Sequence, residues 1–193
     1  MSIFANSLAF LGESLVYNHE ELSAYLSLPP MTVIFRLNTD QFSEQSMRNS
    51  GWGDASEIIK LDPYTFQITY PYSDWSERFD AQSGFLTHII AFNAEGITNL
   101  HRCFGQSHKL RAVFNMYNTN SVTDMSNLFE DCDHLVSIPY FDTSNVTDMS
   151  RMFSNTDIIE NIPLFNTSKV TNMRNMFDKS QSNIPLIIPA FDT

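Results

Sequence analysis

Apolar residues recur along the second half of the chain in a pattern with a period of about 24 residues, which is within the range typical of repeat proteins. The clearest copies are Val122 to Phe129, Val146 to Phe153 and Val170 to Phe177, and each contains Thr, then Asp or Asn, then Met. Weaker copies end at Phe104 and Phe79, so the five phenylalanines follow each other at a nearly constant interval. One such unit cannot bury its apolar positions alone, and the pattern therefore predicts that consecutive units stack on each other.

A second apolar motif, Leu or Ile followed by Ile and Phe at intervals of three, keeps step with the first. It occupies residues 86–92, 135–141 and 159–165, and it returns in part at 188–192. A copy at 110–117 fits when one residue is inserted before its aromatic residue. A short apolar run of this kind favours a strand that pairs with its equivalent in the next unit. The spacing of three and four in the first motif predicts one or two helical turns per unit. The sequence thus predicts an α/β repeat of about five short coils.

The N-terminal part of the chain shows a different pattern. Apolar residues at intervals of three and four predict a helix within residues 1–30, which a Pro-Pro pair ends. Residues 31–37 and 65–70 are predicted strands, and residues 49–54 a loop. We therefore predict a small α+β unit over residues 1–72 that caps the repeats or docks on a larger assembly, and a repeat domain over residues 73–193.

The stretch from Phe141 to Phe153, Phe-Asp-Thr-Ser-Asn-Val-Thr-Asp-Met-Ser-Arg-Met-Phe, resembles the BspA-like leucine-rich repeat, a bacterial surface protein repeat of the Listeria and Mycoplasma type. The resemblance is strong over residues 110–177 and fair back to about residue 74. It implies a right-handed leucine-rich-repeat solenoid and a role in adhesion or protein recognition. It does not identify a ligand, because repeat folds bind many different partners.

Two sets of residues follow from the repeat. The residues that recur without change are the predicted repeat core: Phe79, Phe104, Phe129, Phe153, Phe177, Met125, Met149 and Met173. The specificity of a repeat protein lies where its units differ, so the variable positions beside the strand motifs form the candidate partner-contact face: His88, Ile90, Ala112, Phe114, Ser137, Pro139, Asn161 and Pro163. A solvated face without a binding role is the alternative that this pattern leaves open.

Charge and composition argue against several classes of function. The net charge is −11, and no cluster of Lys and Arg exists that would neutralise phosphates, so we expect no nucleic-acid binding. No window approaches 18 uninterrupted apolar residues, and we expect no insertion into a membrane. The N-terminus lacks the basic region of an export signal.

Candidate chemistry is sparse as well. The five histidines and two cysteines lack the spacing of zinc ligands, and the Asp and Asn residues that recur once per unit suit a hydrogen-bonded ladder better than a calcium loop. Motifs for a catalytic nucleophile or for phosphate binding are missing. Cys103 and Cys132 are expected to be free thiols. The sequence predicts no cofactor, no metal site, no catalytic residue and no enzymatic activity.

Three functions remain as hypotheses. The first is a structural protein-binding component of a virion, such as a bacteriophage tail or head accessory protein, assembled in the host cytoplasm and docked through its N-terminal unit. The second is an adhesion protein on the surface of a bacterium or protozoan. The third is an enzyme with an active site in the N-terminal half and repeats that recruit its substrate.

Overall fold

The computed structural model describes residues 27–79, 82–156 and 162–180 of the chain. These residues form an open, mixed sheet of six strands in the order β2-β3-β1-β4-β5, with β6 also paired to β4. The strands are β1 (Thr32–Leu37), β2 (Glu57–Lys60), β3 (Thr65–Thr69), β4 (Leu86–Asn93), β5 (Ala112–Val113) and β6 (Met116–Tyr117). The predicted strands at 31–37 and 65–70 are confirmed as β1 and β3. The helix predicted within residues 1–30 lies almost entirely outside the described residues.

Strand β1 lies in the middle of the sheet and is buried on both faces. It pairs antiparallel with β3 on one side and with β4 on the other. Val33 and Phe35 belong to the main core, whereas Ile34 belongs to a second cluster on the opposite face. Because β4 belongs to the repeat region, the sheet crosses the predicted domain boundary at residue 72. The boundary itself stays a prediction.

A short helical segment protects the outer edge of the sheet at β2. The helix α1 (Glu44–Met47) begins with a capping box in which Ser43 and Ser46 each accept a hydrogen bond from the other's backbone. Glu44 then accepts a 3.0 Å hydrogen bond from the backbone N–H of Lys60 in β2. This edge donor is therefore not available to another strand. A π-helical turn (Arg48–Trp52) follows α1, where a loop was predicted.

The repeats contact each other in register through their backbones. Parallel β-bridges join Asp74, Asn99, Asp124, Asp148 and Asn172 in that order. We number repeats 1 to 5 from these residues. Hydrogen bonds between backbones continue the contact on both sides of each bridge. In repeats 1 to 4 the N–H of the phenylalanine donates to the next repeat, as Phe129 does to the carbonyl of Met152 at 3.0 Å.

The predicted fold class, a right-handed leucine-rich-repeat solenoid of about five short α/β coils with an α+β cap, is wrong for the described residues. They are mainly an open β-sheet, and α1 is the one α-helix among them. The predicted helical turns are irregular turns that each contain a residue with positive φ, such as Asn127 at 58° or Arg151 at 53°. A left-handed residue ends helical geometry after one turn, so the spacing of three and four reflects turns rather than helix. The predicted strands shrink to β5, β6 and single bridges beyond β4.

The phenylalanine rings of successive repeats lie next to each other. Centroid distances along the series Phe79, Phe104, Phe129, Phe153 and Phe177 are 5.2, 5.7, 5.7 and 5.6 Å. The first four are buried, and the fifth is partly buried against the same core. Of the three predicted core methionines, Met125 and Met149 are fully buried and Met173 is partly buried.

The sequence pattern placed the inserted residue of repeat 2 just before its aromatic residue, Tyr117, whereas in the structure it lies one position later. Met116 pairs with Phe92 and Tyr117 pairs with Asn93, so Met116 takes the place of the aromatic residue in this repeat. Tyr117 is the additional residue. Its neighbour Asn118 restores the register by donating a 3.1 Å hydrogen bond to the side chain of Asn93.

Candidate interaction surface

The strand motif of the later repeats separates buried from exposed side chains with a period of three. Leu135, Ile138 and Phe141 are buried, and the residues between them are exposed or half-buried. Repeat 4 continues the pattern with buried Ile162 and Phe165, and the rings of Phe141 and Phe165 are 5.2 Å apart. The residues between the buried positions thus form one continuous surface across repeats 3 and 4.

Three residues of the predicted contact face lie in one row across the sheet. His88 pairs with Ala112, and Ala112 forms a bridge to Ser137. Ala112 is buried, whereas Ser137 is exposed. The ring of Phe114 stacks on His88 with 5.8 Å between centroids and 9° between planes. Repeats 1 and 2 therefore present a stacked pair of aromatic rings on this face.

The remaining predicted positions differ in exposure. Ile90 is only 1% exposed because it packs with Leu28, Ile34 and Ala91 in the second hydrophobic cluster. The chain's own N-terminal region thus covers this face of repeat 1. Pro139 and Pro163 are half-buried, and Asn161 lies outside the described residues.

The largest exposed apolar side chains of this face were not among the predicted positions. Val136 is 52% exposed, Tyr140 65% and Leu164 62%. We define the apolar strip as these three residues together with Pro139 and Pro163. The sequence contains an indication of it, since Tyr140 and Leu164 occupy equivalent positions in successive repeats and each immediately precedes a buried phenylalanine.

Positive charge gathers beside the apolar strip although the protein as a whole is acidic. Arg36 pairs with His88 across β1 and β4, and the backbone N–H of Arg111 donates to the carbonyl of Thr87 on the other side of His88. Burial, together with Arg36 and Arg111, lowers the pKa of His88 to about 4, so its ring is neutral at physiological pH. Arg36 forms an ion pair of 3.4 Å with Asp62. Within the described part of the chain, Arg111 is exposed and forms no ion pair.

The recurring Asp and Asn residues hold turns. A side-chain oxygen of Asn99, Asp124 and Asp148 accepts a 2.8 Å hydrogen bond from the backbone N–H two residues later in each case. Burial alone would raise the pKa of Asp148, but hydrogen bonds from Ser150 and Asn172 lower it below its usual value. Among the described residues, no group of three or more His, Cys, Asp or Glu side chains is placed to hold a metal ion.

In repeats 3, 4 and 5 a small donor side chain lies three residues after the phenylalanine. Cys132 donates to the carbonyl of Phe104 at 3.3 Å, Thr156 to that of Phe129 at 2.7 Å and Ser180 to that of Phe153 at 2.6 Å. Both cysteines are buried, and burial raises the pKa of the Cys132 thiol. Cys132 therefore has a structural role in its repeat rather than the environment of a reactive thiol.

Comparison with known proteins assigns the repeats to a family. The model of the family described as "Mycoplasma protein of unknown function, DUF285" matches residues 73–187, which is more than half of the chain. The chain belongs to this family. The match covers the same repeats that resemble the BspA-like surface protein repeat. No curated protein and no solved structure matches the chain significantly. None of the helices in the described residues is long and apolar enough to cross a membrane.

Proposed function

We propose that this member of the DUF285 family is a non-enzymatic recognition protein of the cell surface, and that it contacts another protein through the apolar strip. The observation that carries the proposal is a difference between repeats. In repeat 1, Ile90 and Ala91 are covered by Leu28 and Ile34. The positions equivalent to Ala91 in repeats 3 and 4 are Tyr140 and Leu164, and both are exposed. Exposed apolar side chains grouped in this way are typical of protein-contact sites.

The geometry of the strip suits the burial of a partner. The N–H of Val136 donates a 2.9 Å hydrogen bond to the carbonyl of Arg111 in the neighbouring repeat. Tyr140 and Leu164 each immediately precede a phenylalanine that is buried in the core and so anchors the chain beside them. A rigid surface loses little conformational entropy when it binds. Tyrosine, which supplies the most exposed side chain of the strip, is enriched at protein interfaces because it offers a large apolar ring and a polar hydroxyl.

A location at the cell surface is supported by the family and by the resemblance of the repeats to the BspA-like surface protein repeat. The family match supports this hypothesis and gives no support to a virion-associated component. The absence of enzymatic activity and the docking of the N-terminal unit on a larger assembly stay predictions.

Binding of the fluorescently labelled protein to intact cultured animal cells, measured by flow cytometry, tests the proposal. We compare the wild type with the double variant Tyr140→Ser/Leu164→Ser. The matched control is Tyr72→Ser, which removes an exposed aromatic side chain outside the strip. We expect saturable binding by the wild type and the control, and at least tenfold weaker binding by the strip variant. Equal binding by all three proteins would exclude the strip as the contact surface.

A further inference from the structure

One end of the apolar strip adjoins a positively charged region, which we call the positive cluster and define as Arg36 and Arg111 on either side of His88. The backbones of Val136 and Arg111 are joined by a hydrogen bond, so an exposed apolar side chain and an exposed guanidinium lie on adjacent repeats. Arg111 also bonds through its backbone N–H to the carbonyl of Thr87, next to His88, and Phe114 of the same repeat stacks on the His88 ring. The two features thus belong to one surface that runs from repeat 1 to repeat 4.

The charge of this end of the surface is opposite to that of the protein. The net charge of the chain is −11, but Arg36 and Arg111 flank His88 from both sides, and Asp62 neutralises only one of these two guanidinium groups. The half-buried His88, on which Phe114 stacks, lies within electrostatic range of both guanidinium groups, so aromatic surface adjoins the positive charge. An electrostatic interaction beside apolar surface is less screened than one in open solvent.

We propose that the surface binds an extended acidic and apolar segment of a partner protein, with a carboxylate at Arg111 and apolar side chains on the apolar strip. This inference rests on the proposed function and specifies the chemistry of the partner. Arginine offers a planar fork of donors that matches a carboxylate, and Arg111 is the guanidinium of the pair that forms no ion pair within the described residues. A second copy of this chain is a weaker candidate, because two copies that each carry a charge of −11 repel each other.

Selection of a phage-displayed library of random short peptides on the immobilised full chain tests this inference. Selected peptides are then synthesised, and their affinities are measured by fluorescence polarisation for the wild type, Arg111→Glu and Tyr140→Ser/Leu164→Ser. Lys179→Glu is the control for a charge reversal at an exposed position in repeat 5. Thermal unfolding of each variant verifies that it folds as the wild type does.

We expect peptides that combine Asp or Glu with aromatic or aliphatic residues. Their affinity should fall about tenfold or more in Arg111→Glu and in the strip variant, and stay unchanged in Lys179→Glu. Two results would overturn the assignment of an acidic partner and leave the proposed function intact. In the first, the peptides require the strip but are basic. In the second, they require the strip but bind Arg111→Glu as tightly as the wild type. A selection that yields no peptide dependent on Tyr140 and Leu164 would overturn both.

Discussion

The indole N–H of Trp52 donates a 3.0 Å hydrogen bond to Oε1 of Gln82, and both side chains are fully buried. Trp52 belongs to the segment between α1 and β2, whereas Gln82 follows the turn of repeat 1. The amide of Gln82 also donates to the hydroxyl and the carbonyl of Ser50, at 2.8 and 3.2 Å. This network of polar groups therefore fixes the N-terminal strands to the first repeat.

Loss of this network should destabilise the protein. In Gln82→Met the side chain keeps its approximate volume, but the Trp52 indole N–H and the Ser50 carbonyl lose their partner, and we expect a loss of about 1–3 kcal/mol in the free energy of unfolding. Urea unfolding followed by tryptophan fluorescence measures it. The double variant Trp52→Phe/Gln82→Met should lose less than the sum of the two single variants. Additive losses would show that the two side chains do not interact.

The column of phenylalanine rings should contribute strongly to stability. Phe153 is 1% exposed and lies between Phe129 and Phe177, so Phe153→Ala leaves a cavity between two rings and should cost about 3–5 kcal/mol. Phe177→Ala removes a partly buried ring and is the matched control, with a smaller expected loss. Thermal and urea unfolding measure both variants. An unfolding midpoint of Phe153→Ala equal to that of the wild type would contradict the register of the repeats.

The thiol of Cys132 should be replaceable by a hydroxyl. Thr156 and Ser180 make the equivalent hydrogen bond in the following repeats, so Cys132→Ser keeps the donor to Phe104 and should stay within about 1 kcal/mol of the wild type. Cys132→Ala removes both the donor and part of the packed volume, and we expect a loss of about 1–3 kcal/mol. Urea unfolding separates the two variants. If Cys132→Ser proves the less stable of the two, the proposed hydrogen bond does not contribute.

His88 should make the stability of the protein depend on pH in weakly acidic solution. Its pKa is about 4 in the folded protein and near 6.5 in the unfolded chain, so the unfolded chain binds a proton first as the pH falls. The contribution of neutral His88 is complete above pH 6.5 and is lost progressively down to about pH 4. Carboxylates with a lowered pKa, such as Asp148, act in the same direction but below their usual value of 3.8.

We therefore expect His88→Gln to flatten the curve of unfolding free energy against pH between 6.5 and 4. His134→Gln changes an exposed histidine of repeat 3 and should leave that curve unaltered. Urea unfolding at half-unit steps of pH compares the three proteins. A slope in His88→Gln as steep as that of the wild type would assign the pH dependence to other groups.

The period of the sequence predicts which residues of successive repeats contact each other, but it does not predict the backbone geometry of the turns within each repeat. The repeat interval separates side chains that meet, as Phe104 and Phe129 do. The same sequence pattern is compatible with helical turns and with irregular turns, and only the left-handed backbone at positions such as Asn127 decides between them. The backbone N–H of Asn127 donates to the carbonyl of Ser150 in the next repeat, so this conformation involves a contact between repeats that a local pattern does not reveal.

The exposure of residues on the candidate face could be predicted less well, for a different reason. Alternation along an isolated strand places Ile90 at the surface, but Leu28 and Ile34 come from a distant part of the chain to cover it. Tyr140 and Leu164, by contrast, are exposed because no described segment covers repeats 3 and 4 in the same way. Exposure on this face depends on contacts between residues far apart in sequence, which a single sequence does not specify.

The equivalent backbone bonds between successive repeats have a consequence for how such a chain can change in length. Every interior repeat bonds to its two neighbours through equivalent backbone groups, while β1 pairs with β4 of repeat 1. We expect that duplication of one whole repeat within repeats 3 and 4 would preserve those junctions and leave the N-terminal strands undisturbed. Copy number would then adjust the extent of the proposed contact surface without any new fold.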